Sequence, residues 1–153
     1  MHDPMAKWTP APDFSAARLE RPGLTATPLH GLKQTLVSGD LAGIATVGFW
    51  GIAPPPRYAI RIARDRALFI GEAPAGFVAS EASDAYAVFA LEGEGLRALV
   101  AEACAADPDA GSPSAAALFA GVPALLYRVA EGEARLHVEA SLAAYVWRWL
   151  ETR

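Results

Sequence analysis

Hydrophobic and polar positions divide the chain into a proline-punctuated start and a regularly patterned remainder. Up to about residue 28 no period holds, and Pro4, Pro10, Pro12, Pro22 and Pro28 interrupt whatever begins. Proline lacks an N–H and fixes φ, so residues 1–28 read as an extended arm and residues 29–153 as a single domain. Leu32, Gln34 and Leu36 alternate with Lys33, Thr35 and Val37, which predicts a strand closed by Ser38-Gly39. Asp40 stands where an N-cap would, ahead of Leu41, Ile44, Ala45 and Val47. A short helix is expected there, weakened by Gly43 and Gly48.

Beyond the rigid Pro54-Pro55-Pro56 spacer, Tyr58 to Ala63 and Ala67 to Ile70 flank Arg64-Asp65-Arg66 as a hairpin. Gly71 to Ser83 reads as loop and Ala85 to Leu91 as a strand that Gly93-Glu94-Gly95 stops. Leu96, Leu99, Val100 and Ala103 recur at helical spacing up to Ala106, before Asp107-Pro108. Three strands follow, Ser114 to Phe119, Val122 to Val129 and Ala134 to Glu139, and a helix over Leu142 to Leu150 closes the chain. The run Val122 to Tyr127 is apolar on both faces and belongs in the interior of a sheet. The pattern predicts an α+β fold, a mostly antiparallel sheet with packed helices.

Composition changes this picture little. At 153 residues the chain can bury a real core. Its 53% hydrophobic and 20% charged residues hint at surface covered by a partner, a hint diluted by the many alanines. The net charge is −4, and the only basic concentration is a loose one at Arg57, Arg61, Arg64 and Arg66, so nucleic acid is a poor partner. One cysteine, Cys104, excludes an internal disulfide and any multi-thiolate zinc site. Neither a secretion signal nor a membrane-length apolar run occurs, so a soluble cytoplasmic protein is expected.

The sequence contains no glycine-rich nucleotide loop and no nucleophile elbow. His2, His30 and His137 are scattered. His137 shares a strand face with Arg135 and Glu139, which in a two-layer fold would be solvent or an interface. The carboxylate pairs Glu131/Glu133 and Glu92/Glu94 each bracket a glycine and read as solvated turns. Cys104 reads as a core residue, because nothing near it in sequence would lower its pKa. Catalytic, cofactor-binding and metal residues are therefore expected to be absent from this chain.

The closing helix is the exception to this plainness. Leu142, Val146, Trp149 and Leu150 make one apolar stripe, while Tyr145 and Trp147 point well away from its centre. Tyr145 and Trp147 are therefore candidate partner contacts. Phe49 and Trp50, beside Gly48 and Gly51, are a second candidate, and Trp8 in the arm a third.

The stretches Leu91-Glu-Gly-Glu-Gly-Leu-Arg-Ala-Leu-Val, Leu118-Phe-Ala-Gly-Val-Pro-Ala-Leu-Leu-Tyr-Arg and Arg135-Leu-His-Val-Glu-Ala-Ser, running into Tyr145-Val-Trp-Arg-Trp-Leu, resemble the gamma-subunit family of heterotetrameric sarcosine oxidase. That family belongs to the folate-binding-domain superfamily of the glycine-cleavage T-protein. Gly93, Val122, Pro123, Arg128, Val138, Ser141, Trp147, Trp149 and Leu150 stand at its motif positions. Leu68-Phe-Ile-Gly-Glu resembles an earlier motif but lacks the Asp-Glu-Trp that follows it in the family. The resemblance implies a T-protein-like domain with ferredoxin-like βα repeats, acting as a noncatalytic subunit in the oxidative demethylation of sarcosine to glycine. It implies alpha and beta partner subunits, with FAD, FMN, NAD, tetrahydrofolate and zinc all held in other subunits. Two alternatives share the fold: a stand-alone folate-binding or aminomethyltransferase-like protein, with Glu72 or Asp84 as the acidic residue, and the small subunit of N-methylglutamate dehydrogenase. Self-association through the aromatic helix is a further possibility.

Overall fold

The computed structural model describes residues 10–153. Along them run β1 (Leu19–Arg21), β2 (Leu24–Leu29), β3 (Gln34–Ser38), β4 (Tyr58–Ala63), β5 (Arg66–Ile70), β6 (Val78–Glu81), β7 (Tyr86–Glu92), α1 (Leu96–Ala103), β8 (Ala116–Phe119), β9 (Val122–Ala130) and β10 (Glu133–Glu139). A 3-10 turn at Ala140–Leu142 then leads into α2 (Ala143–Glu151). The strands form two sheets, ordered β1-β2-β7-β10-β9-β8 and β4-β5-β3-β6. Every ladder between them is antiparallel, as the hairpin pattern predicts.

Alternation on the central strands explains the layering. On β10, Ala134, Leu136 and Val138 face the helices, where they meet Phe89, Leu91, Leu126 and the buried stripes of α1 and α2. On β9 the opposite set, Leu125, Tyr127 and Val129, packs on Ile60, Leu68 and Ile70 of the smaller sheet. The larger sheet is thus covered on both faces, which is why Val122 to Tyr127 is apolar throughout and why β9 lies inside the sheet. Burying one such Leu, Ile or Phe is worth about 1.5–3 kcal/mol, so these two layers supply most of the driving force. A third cluster, Val37, Leu41, Ala59, Ala67 and Phe69, seals the outer face of the small sheet.

The structure departs from expectation in several places. The predicted arm is sheet from Leu19 onward: β2 pairs with β7 from Thr25↔Glu92 to Leu29↔Val88, and Leu24 and Ala26 are core residues. Prolines hid this pattern, yet Pro28 sits inside β2. Upstream, Phe14 packs against Phe89 and Trp147. No helix forms after Asp40. Its carboxylate accepts the Ala42 N–H at 2.9 Å as an Asx turn, and Gly43 adopts φ +79°, which a helix cannot continue through. The loop from Gly71 to Ser83 contains β6, an exposed edge strand. Helix α1 ends at Cys104, whose backbone is extended, a turn short of Ala106.

Glycine is required where Gly93 leaves β7. It has φ +131°, and a Cβ there would lie 2.2 Å from the Gly23 carbonyl oxygen, so the β1–β2 turn can close over it only if no side chain is present.

Candidate functional site

The most concentrated polar chemistry lies between the two sheets. His137 projects from β10 into this interior and is completely buried. The expectation that it faces solvent or an interface is therefore corrected, because the fold has a second sheet over that face. Its Nδ1 lies 2.8 Å from Gln34 Oε1 and its Nε2 lies 2.9 Å from the Tyr127 hydroxyl, which is 2.9 Å from the Tyr58 hydroxyl. Gln34 Nε2 donates to the Ser83 and Tyr86 carbonyls at 3.3 and 3.4 Å.

These partners determine the proton positions. Two carbonyls around Nε2 orient the Gln34 amide, so Oε1 is the acceptor that faces His137 and Nδ1 carries the imidazole proton. Nε2 then accepts from the Tyr127 O–H, and the Tyr127 oxygen accepts from Tyr58. The chain is satisfied with a neutral imidazole. Burial, then the nearby Arg135 guanidinium, lowers the His137 pKa to about 3. Burial likewise raises the Tyr127 and Tyr58 hydroxyls above the ordinary phenol range. No member of this chain is poised to exchange a proton near neutrality.

The role of Gln34 follows from the strand geometry. The Ala140 N–H donates to the Ala85 carbonyl, so the next residue, Tyr86, turns its carbonyl the other way, toward β2. Strand β2 ends at Leu29, and the Gln34 amide replaces the missing strand. A cleft of about 440 Å³ opens at this split, lined by aromatic Phe14, Tyr86 and Phe89 and by polar Lys33, Ser83 and Asp84. The sequence signal for the network was faint: Tyr127 ends an apolar run on β9, but Gln34 and His137 lie on strands that carry several other polar residues and so do not stand out.

The candidate contact residues separate. Trp147 is 3% exposed and packs on Phe14 and Phe89, with its Nε1 donating to Glu151 at 3.0 Å. Phe49 is 2% exposed in the same core. Both are taken up by this chain and present no surface to a partner. Segment 10–18 covers the α2 face that would otherwise be open, through Phe14 and the Arg148 bond to the Pro10 carbonyl. Tyr145 is 50% exposed, with its hydroxyl donating to the Ala120 carbonyl. Trp50 is half-buried at φ +60°, and the Arg128 guanidinium stacks 5.3 Å from its ring while Nε donates to its carbonyl. Trp8 lies outside the described residues.

Cys104 is buried, as expected, and burial raises its thiol to about 11. Among the described residues no three His, Cys, Asp or Glu side chains converge as metal ligands. No helix among them is long and apolar enough to cross a membrane.

No protein-family model matches the chain, and a comparison with curated proteins finds no significant relative. Among solved structures it is similar to a chain of the heterotetrameric sarcosine oxidase from Corynebacterium sp. U-96 in complex with pyrrole 2-carboxylate. The match has a TM-score of 0.68 and 18% identity, and it covers 84% of this chain and 82% of that one. The chain therefore shares the fold of one chain of a multi-subunit oxidase over most of both lengths.

Proposed function

We propose that this protein is a noncatalytic, gamma-like structural subunit of a heteromeric sarcosine oxidase, built on the T-protein folate-binding-domain fold and working in the cytoplasm. The observation that carries the proposal is the likeness over more than four fifths of both chains to a member of a heterotetrameric oxidase. The sequence motifs from Leu91 to Leu150 point the same way. So does the state of the reactive side chains: His137, Tyr127 and Cys104 are enclosed, and burial holds each in its neutral form. In this reading alpha and beta subunits carry FAD, FMN, NAD and tetrahydrofolate, a further subunit carries zinc, and this chain holds none of them. Co-expression with flavin-bearing alpha- and beta-type subunits tests it. The expected result is a stable complex whose flavins lie in the other chains, and a purified chain that oxidises sarcosine unaided would refute it.

A second reading, a stand-alone folate-binding protein, is favoured by one observation. The 440 Å³ cleft has aromatic walls at Phe14, Tyr86 and Phe89 and the Asp84 carboxylate at its lining. Calorimetric titration with tetrahydrofolate decides between the two, since micromolar binding to the isolated chain supports only the second.

A further inference from the structure

Residues 10–18 are attached to the domain differently from the chain that follows them. From Leu19 onward the chain is tied in by ladder hydrogen bonds, beginning with Leu19↔Ala26. Among the described residues no backbone N–H of 10–18 donates beyond the segment itself. The Ser15 N–H goes to the Asp13 carboxylate at 3.0 Å and the Ala16 N–H to the Asp13 carbonyl, while Pro10 and Pro12 have none to give. Two surface side chains reach back to the segment: His30 Nε2 donates to the Phe14 carbonyl at 2.9 Å and Arg148 to the Pro10 carbonyl at 3.2 Å. Exposed hydrogen bonds add little, because water replaces them when they open.

The attachment therefore depends mainly on one ring. Phe14 lies 5.7 Å from Phe89 and, edge-on, 5.8 Å from Trp147, and those two rings lie 5.5 Å from each other. Ala17 adds a smaller contact to the same cluster. The seat does not need its occupant to exist, since β7 carries Phe89, α2 carries Trp147, and the indole N–H is bonded to Glu151. Phe14 is also a wall of the 440 Å³ cleft, together with Pro28, Leu29, Tyr86 and Phe89. Phe89 lies both in the seat and in the cleft wall, so lifting Phe14 joins the two spaces.

We propose that residues 10–18 are a displaceable strap over this cleft, and that Phe14 occupies a seat taken by an aromatic ring of a small ligand when the strap lifts. Lifting breaks two surface hydrogen bonds and no strand ladder, which makes it a local opening that leaves both sheets intact. The incoming ring recovers the edge-to-face and tilted contacts that Phe14 gives up. Pro10 and Pro12 keep the released strap extended, so it loses less conformational freedom on returning. The strap rests on neither function proposed above and operates under both.

The test uses the full-length protein, the apolar fluorescent probe N-phenyl-1-naphthylamine and a synthetic peptide of residues 10–18. Phe14→Ala should bind the probe about tenfold more tightly than the wild type, because the competing ring is gone. The peptide added in trans should displace the probe from this variant, and the same peptide carrying Phe14→Ala should not. Chymotrypsin cuts after Phe14 only when the ring has left its seat, so the cleavage rate reports the lifted population. His30→Ala with Arg148→Ala keeps the ring but removes both bonds, and should speed this cleavage about threefold. Saturating probe should also speed it in the wild type, measured against the same protease on the free peptide. Cleavage that the probe slows or leaves unchanged overturns the proposal, as does a cooperatively unfolding Phe14→Ala that binds the probe no more tightly than the wild type. If Phe14→Ala does not fold, the wild-type cleavage rates with and without probe decide alone.

Discussion

The Tyr127 hydroxyl and the His137 Nε2, facing each other from adjacent strands at 2.9 Å, hold the buried polar chain that ties the two sheets together. Each is satisfied only by the other and by one partner beyond it. His137→Ala leaves the Gln34 amide oxygen buried without a partner, removes one of the two partners of the Tyr127 hydroxyl and opens a cavity, so it should cost about 3 kcal/mol in urea unfolding. Tyr127→Phe should cost about 2 kcal/mol, because it orphans the imidazole nitrogen but keeps the packing. A loss below about 0.5 kcal/mol for both would show that the network contributes nothing to stability.

Acid should weaken the fold through the same histidine. Its pKa is about 3 in the folded protein, against 6.5 for an unperturbed imidazole. Between these values the unfolded chain binds a proton that the folded chain refuses, so the stabilisation is complete above about pH 6.5 and falls away as pH drops toward 3. The slope from this group reaches about 1.4 kcal/mol per pH unit. Unfolding midpoints recorded from pH 7 to 4 should show this decline, and His137→Gln should remove its share of it.

Gly93→Ala should destabilise the protein by about 2–4 kcal/mol, since the residue sits at φ +131° and the new methyl would meet the Gly23 carbonyl. Gly121→Ala is the control. Its φ is also positive, +83°, but nothing lies within 4 Å of an added Cβ, so the loss should be about 1 kcal/mol. Thermal melts of the two variants test whether the close approach, beyond the dihedral, sets the cost.

Trp147 and Tyr145 should behave oppositely. Trp147→Ala empties a site packed by Phe14 and Phe89 and should cost about 3–5 kcal/mol. Tyr145→Ala, at a half-exposed position, should cost less than about 1 kcal/mol. Chemical denaturation measures both, and comparable losses would contradict the packing described.

The Cys104 thiol, raised by burial to about 11, should react with a disulfide reagent at pH 8 far more slowly in the native protein than in the denatured one. Rapid native modification at the denatured rate would mean that α1 opens readily.

How much was legible beforehand differs from element to element. The hairpins β4–β5 and β9–β10 and helix α2 carry their period over a whole element, so alternation or helical spacing located each of them. The arm misled because Pro22 and Pro28 break a pattern that pairing with β7 restores; edge strands tolerate proline, and β2 has only short β1 beyond it. The helix after Asp40 failed because Leu41, Ile44, Ala45 and Val47 at helical spacing cannot outweigh Gly43 held at positive φ.

What the chain determined by itself was its alternation of strands, its turns and its share of apolar side chains, because these depend on neighbours in sequence. Which aromatic residues are surface and which are core was decided only by tertiary structure. Trp147 and Tyr145 lie on the same helix and differ because segment 10–18 returns to cover one and leaves the other open. His137 is the clearest instance. Its strand face was readable from the period, but whether that face met water or a second sheet depended on β3 and β4, about 100 and 80 residues away, and that one contact turns a titrating surface histidine into a neutral buried one.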